Sequence, residues 1–182
     1  PFQDIQVLTP MHRGVTGSIN LNRSLQSVLN PDGTGFEHRE QWFKTGDKLM
    51  QQQNDYDKQV FNGDTGRIVF CDPKSREIHV SFDQGIVRYT AKEIDQLALA
   101  YAISVHKSQG SEYPALILPL TTHHYMMLQR NLLYTALTRG KQLVILIGME
   151  KAVAMAVKNE EARTRHTSLP RHFREMKELM AL

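Results

Sequence analysis

The rhythm of apolar and polar positions changes three times along the chain. Near the start, the apolar run "IQVLTP" is followed by "GSINLNRSLQSVLNP". There Ile19, Leu21, Leu25, Val28 and Leu29 recur close to helical spacing until Pro31 stops the pattern. This predicts strand, loop and helix over residues 1–38. Residues 39–97 switch to short β-rich runs, "GDKLMQQQ", "TGRIVFC", "REIHVSF" and "GIVRYT", broken by the turn signals "NGDTG", "DPKS" and "DQG". Closely spaced short strands of this kind predict a small antiparallel barrel. Such a unit buries little surface alone and suits an insert.

From residue 98 the texture is α/β again. "LALAYAIS", "ALILPL" and "LVILIG" are continuous apolar runs, the pattern of strands buried on both faces of a parallel sheet. Met126, Met127, Arg130, Leu133, Tyr134 and Leu137 fit a helix that ends at Gly140 as its C-cap. A further helix is expected over 150–163. The simplest architecture is α/β: a parallel-sheet domain of residues 1–38 and 98–182, interrupted by a small antiparallel β-barrel at 39–97.

Composition refines this picture only slightly. Hydrophobic residues make up 41% and charged residues 23% of 182, ordinary values for a globular protein. No apolar run reaches the length of a membrane-spanning helix, and no membrane partner is expected. The start lacks the basic and apolar regions of a signal peptide. Cys71 is the only cysteine, which excludes an internal disulfide and favours a reducing, cytoplasmic compartment. The opening on proline, close to a strand-like run, suggests a chain cut from something longer. A net charge of +3 tolerates a polyanion partner without demanding one. The histidines show no zinc spacing, and adjacent His123 and His124 point in different directions, so no metal site is expected.

Candidate chemistry lies in two stretches. In "YAISVHKSQGSEYPALILPL", residues 101–120, a polar knot interrupts two apolar runs. In an open parallel sheet, ligands sit at the carboxyl ends of the strands, and the knot follows such a run. His106, Lys107 and Ser108 offer donors suited to phosphate oxygens, and Gly110 permits a tight path. A short helix starting near Ser108 would add free N–H groups. The knot reads either as a phosphate-binding loop or as an ordinary polar loop. In "NLLYTALTRGK", Arg139 lies at a helix end. It reads either as a cation complementing the helix dipole or as a guanidinium projected toward a phosphate. Trp42, Phe43, Tyr56, Phe61 and Tyr89 in the barrel are either core or stacking surfaces for bases.

The segments "LALAYAISVHKSQGSEYPALILPL" and "RNLLYTALTRGKQLVILIG" closely resemble motifs V and VI of superfamily 1 helicases. The nearest group is the RecD-like branch, related to the exonuclease V alpha subunit. "VLTPMHRGVTGSINLNRSLQSVLNP" and "GDKLMQQQNDYDKQVFNGDTGRI" resemble the segment before that family's Src-homology-3-like insert and the start of the insert itself. The resemblance implies the second RecA-like motor domain of an ATP-dependent DNA helicase of 5′-to-3′ polarity. It implies Arg139 as an arginine finger on the γ-phosphate, and Gln109, Gly110 and Glu112 on the nucleotide side. It implies His106, Lys107 and Ser108 nearer the single strand, with Thr9 and Arg13 as backbone contacts. The implied partners are single-stranded DNA, the first RecA-like domain of the same parent chain and, for a parent in a nuclease complex, that complex's subunits. The chain contains no G-x-x-x-x-G-K-[ST]. ATP and Mg²⁺ are therefore expected to be held mainly by the first motor domain, and this piece alone is expected to be inactive. The other reading is a non-enzymatic helicase remnant whose barrel binds a peptide or a nucleic-acid strand.

Overall fold

Parallel and antiparallel strands sort into separate sheets in the computed structural model, which describes residues 4–160 and Phe173. Along the chain, β1 (Ile5–Thr9) leads into α1 (Ser18–Leu29). Next come β2 (Gly35–His38), β3 (Gln41–Lys44), β4 (Lys48–Gln51), β5 (Thr65–Asp72), β6 (Glu77–Phe82), β7 (Gly85–Tyr89) and β8 (Leu97–Leu99). Then follow β9 (Ala102–Ser104), β10 (Tyr113–Leu120), α2 (Arg130–Leu137), β11 (Gly140–Gly148) and α3 (Glu150–Lys158). Strands β11, β10, β1 and β9 lie side by side in that order, all parallel. Strands β7, β6, β5, β4 and β8 form an antiparallel sheet, and β2–β3 is a separate hairpin. The α/β sheet interrupted by an antiparallel β unit is the expected class.

Each sheet has its own core. Around the parallel sheet, Leu8, Ile103, Leu116, Leu118 and Leu120 pack with Leu128, Leu133, Ala136, Ala152 and Ala156. In the β unit, Phe43, Leu49, Ile68, Ile78, Val80, Tyr89 and Ile94 are buried together. Full burial of each large apolar side chain contributes about 1.5–3 kcal/mol.

Four expectations need correction. The run "LALAYAIS" is not one strand. Leu99 and Leu97 pair antiparallel with Leu49 and Gln51, whereas Ala102–Ser104 pairs parallel with Val7–Thr9. The chain changes sheets at Ala100 and Tyr101, both buried. An apolar run reports burial, and two sheets can bury it equally well.

The helix expected to end at Gly140 is broken as well. A short 3-10 helix covers Thr122–Met127, Gln129 is extended, and α2 begins at Arg130. Gly140 is not a cap but the first residue of β11, paired with Tyr113. A Cβ there would meet Val144 Cγ2 at 2.4 Å, so a side chain at this position would force Val144 to shift.

Third, β11 is not buried on both faces. It is an edge strand, and Leu143, Ile145 and Ile147 are between 40% and 55% exposed. Fourth, α1 turns a polar stripe inward where its apolar spacing suggests an apolar one, and of the expected positions Leu25 is partly buried against the β unit's core. Ile19, Val28 and Leu29 are exposed, while Ser18, Asn22 and Gln26 are buried. Those polar residues recur every four positions and form a hydrogen-bonding stripe. Asn22 Nδ2 donates to the Ala102 carbonyl at 2.8 Å, and its Oδ1 accepts from Ala102 N–H at 2.9 Å. Gln26 and Asn30 donate to the two carboxylate oxygens of buried Asp47 at 2.6 and 2.7 Å. Helix α1 thus ties the parallel sheet to the β unit through polar contacts. The last helix runs over Glu150–Lys158, and residues 161–163 of the expected helix lie outside the described residues.

Candidate nucleotide and single-strand site

The polar knot begins where β9 ends. Ser104 Oγ accepts a hydrogen bond from Lys107 N–H at 3.3 Å and caps a 3-10 helix over Val105–Ser108. The expected helix start at Ser108 is therefore its end. Ser108 is fully buried, and its hydroxyl donates to the Val105 carbonyl at 2.7 Å. Gly110 then turns the chain with φ +87°, a conformation open to glycine at little cost.

Strand register shows how far the knot travels. Ala102 and Ile117 both lie level with Val7. Ser104 is therefore level with Pro119, six residues along β10 from Tyr113, roughly 20 Å at the usual strand rise. Because β9 and β10 are parallel, the knot must return that distance. It does not sit wholly at the carboxyl edge, as the loop pattern suggested. His106 and Lys107 lie at the carboxyl edge, and Ser111 and Glu112 at the amino edge.

At the carboxyl edge, His106 and Lys107 are exposed. Lys107 Nζ donates to Gln52 Oε1 in the β unit, and partial burial lowers the lysine pKa. A cleft of about 490 Å³ runs along the knot from His106 and Lys107 through Gln109 and Gly110 to Ser111, facing the turn Asn62–Asp64. Thr9 ends β1 beside this edge but is fully buried, its hydroxyl donating to the Thr16 carbonyl at 2.6 Å. Arg13 is exposed in the following loop. Ser108 and Thr9 thus direct their hydroxyls into the fold, because a buried hydroxyl must find a partner. The surface groups here are His106, Lys107 and Arg13.

At the amino edge, Arg139 stands between α2 and β11. Its carbonyl accepts from Tyr113 N–H at 2.8 Å, which fixes its backbone to the start of β10. Its guanidinium donates to the Ser111 and Thr135 carbonyls and to Thr138 Oγ1, each at 3.3 Å. These are long bonds to neutral acceptors, and among the described residues no carboxylate pairs with Arg139. A phosphate would form shorter, charge-assisted bonds with the same N–H groups. Glu112 lies close by but is paired with Lys141 at 3.0 Å. Gln109 is midway, also lining a small cleft with Asn131 and Thr135 of α2. The sequence pointed to Arg139 and Glu112, but not to the Ser111 carbonyl or Thr135 that hold the guanidinium in place. The donor set fits a nucleotide phosphate. Among the described residues there is no group of three or more His, Cys, Asp or Glu that could hold a metal ion.

Of the barrel aromatics, Phe43 and Tyr89 are core, whereas Trp42, Tyr56 and Phe61 are 44% to 74% exposed.

Residues 21–82 match the family model of the ATP-dependent RecD-like DNA helicase SH3 domain, and residues 99–147 match that of the UvrD-like helicase C-terminal domain. The ATP-dependent RecD2 DNA helicase of Deinococcus radiodurans is 36% identical over 170 residues, 93% of this chain and 23% of that protein. The chain belongs to the RecD-like superfamily 1 DNA helicases. The RecBCD enzyme subunit RecD of Mycobacterium tuberculosis is 33% identical over 153 residues, 84% of this chain and 26% of the relative. The chain therefore spans about a quarter of the length of these curated relatives. Among solved structures, Bacteroides Pif1 bound to single-stranded DNA superimposes with a TM-score of 0.60 at 17% identity, over 96% of this chain and 46% of that one. The RecD-like helicase chain thus has a RecA-like α/β fold with a Src-homology-3-like insert.

Proposed function

We propose that this chain is the second motor half of an ATP-driven, 5′-to-3′ DNA helicase. The observation that carries the proposal is the knot that spans the sheet. One continuous segment presents His106 and Lys107 at one edge and reaches Arg139 at the other. That arrangement suits a motor, in which a change at the nucleotide must be felt by the strand.

At the amino edge, Arg139 contacts the γ-phosphate of ATP held by the partner motor half, with Gln109, Gly110 and Glu112 lining the nucleotide side. Its long bonds to Ser111, Thr135 and Thr138 are exchanged for phosphate oxygens, which stabilises the charge that develops during phosphoryl transfer. At the carboxyl edge, His106, Lys107 and Arg13 grip the phosphates of single-stranded DNA. Backbone contacts carry no sequence information, as a translocating motor requires. Thr9 and Ser108 shape this edge from inside.

The isolated chain lacks a phosphate cradle, so with magnesium, ATP and single-stranded DNA it stays at background hydrolysis. Clear turnover that Arg139→Ala abolishes would overturn the assignment of two halves. A full-length parent that binds strand but never hydrolyses ATP would favour the non-enzymatic remnant.

A further inference from the structure

A second concave surface adjoins the carboxyl edge, and of the residues given roles above it shares Lys107. It is a groove of about 530 Å³ between α1, the β2–β3 hairpin and the start of the knot. Lys107 and Ser104 line both this groove and the knot, so the two surfaces are continuous. Three of its side chains are basic, Arg23, Arg39 and Lys107, with His12 beside them, against Glu40 in the lining and Asp95, which is already paired with Arg39. Trp42 lies in the wall and is 48% exposed.

Three features show that the wall is built rather than incidental. Gln26 of α1 donates to the Trp42 carbonyl at 2.9 Å and so fixes the backbone that carries the indole. Gln41 Nε2, in the same wall, is buried without a hydrogen-bond partner. The hairpin tip is Arg39-Glu40, with φ of +48° and +65°, where a two-residue turn favours Asn-Gly. Long charged side chains are thus kept at the tip at a conformational cost, a pattern found at ligand-binding positions. Arg39 is steadied by Asp95 at 2.8 Å, which also accepts from His38 at 2.8 Å.

We propose that this groove seats one nucleotide of the single strand gripped by the knot, its base stacked on Trp42 and its phosphates beside Arg23 and Arg39. The inference rests on the proposal that the knot binds single-stranded DNA. An indole face accepts any base, so the seat adds affinity without sequence preference.

Trp42 is the only tryptophan in the chain, so its emission reports on the seat alone. The test titrates the 182-residue chain with labelled oligothymidylate at low salt, following label anisotropy and tryptophan emission together. The emission is quenched with the same midpoint as the anisotropy rise. An abasic strand of equal length binds about tenfold more weakly and leaves the emission unchanged. Trp42→Ala weakens oligothymidylate binding about tenfold but leaves abasic binding unaltered, while Trp42→Phe keeps most of the affinity. Thermal melts confirm that both variants fold. Arg23→Gln weakens both strands alike.

Strand binding with no change in emission, and with Trp42→Ala equal to wild type, would overturn the seat. If His106→Ala still weakened binding, the knot's role would stand. Polyglutamate that quenched Trp42 as strongly as DNA would show an unspecific anion surface and also overturn the seat. No binding of either strand would overturn both proposals.

Discussion

The two edges of the parallel sheet treat their polar side chains in opposite ways. At the carboxyl edge, the hydroxyls of Thr9 and Ser108 are buried and committed to the Thr16 and Val105 carbonyls. At the amino edge, the Arg139 guanidinium has, among the described residues, only long bonds to neutral acceptors. The first arrangement fixes a backbone path, and the second leaves a charge available. Membership in a polar motif therefore does not make a residue available to a ligand. Availability depends on whether the fold has already satisfied the side chain.

The largest expected effect lies at the amino edge. On the reading proposed above, in a full-length protein that carries this chain Arg139→Ala lowers the kcat of ATP hydrolysis by about 10³–10⁵-fold while leaving nucleotide affinity nearly intact, because charge on the γ-phosphate grows in the transition state. Arg139→Lys does not rescue it, since lysine lacks the planar fork. Steady-state kinetics decide the matter, and native turnover in Arg139→Lys would reduce Arg139 to a helix-end cation.

Between the edges, α1 is held by its polar stripe. Asn22→Ala leaves both the N–H and the carbonyl of buried Ala102 without their partner, costing roughly 2 kcal/mol or more. Chemical denaturation reads this directly, and a change within error would show that the stripe holds nothing together.

Smaller effects separate the residues of the carboxyl edge. Ser108→Ala removes one internal hydrogen bond, costs about 1 kcal/mol of stability, and leaves strand affinity per folded molecule unchanged. His106→Ala does the reverse, weakening binding a few-fold alike for mixed and homopolymer strands. A strand defect in Ser108→Ala with no stability loss would invert the comparison.

A further effect is a pH dependence at the joint between the sheets. Burial lowers Lys48 from 10.5 to about 8 in the fold, where its ammonium donates to the Ile5 carbonyl at 3.2 Å. Between those values the unfolded chain holds the extra proton, so stability rises with pH from about 8. From about pH 9 the rise is opposed, because burial pushes the Cys71 thiol from 9.0 up to about 11, and above 10 the trend reverses as buried Tyr89 and Tyr101 stay protonated in the fold beyond their ordinary value of 10.0. Lys48→Met removes the rise and keeps the fall. Parallel curves for the two proteins would contradict the assignment to Lys48.

Much of this molecule is legible in the sequence, and the failures share a cause. Apolar periodicity and turn signals reveal the order of sheet, insert and sheet, and the motif residues point to Arg139 and His106 for the roles proposed above. What the sequence hides is which surface satisfies a side chain. The apolar spacing of α1 points to Ile19 and Val28, yet Asn22 and Gln26 face inward because backbone groups of Ala102 and Trp42 need partners there. The run "LALAYAIS" conceals a change of sheet because both its halves are equally buried. Trp42 resembles core in a strand pattern, but its neighbour Phe43 takes that place at 2% exposure. Alternation along β3 was the available signal, since one of two adjacent aromatics must face outward.

The central claim is that one segment carries two separable functions, one at each edge of the sheet. The direct measurement sets the single-strand dissociation constant without nucleotide beside kcat at saturating strand, for Arg139→Ala and His106→Ala in the full-length helicase. The account predicts a crossed result: Arg139→Ala loses kcat and keeps its strand affinity, and His106→Ala loses strand affinity and keeps most of its kcat. Equal losses of both quantities in both variants would contradict it.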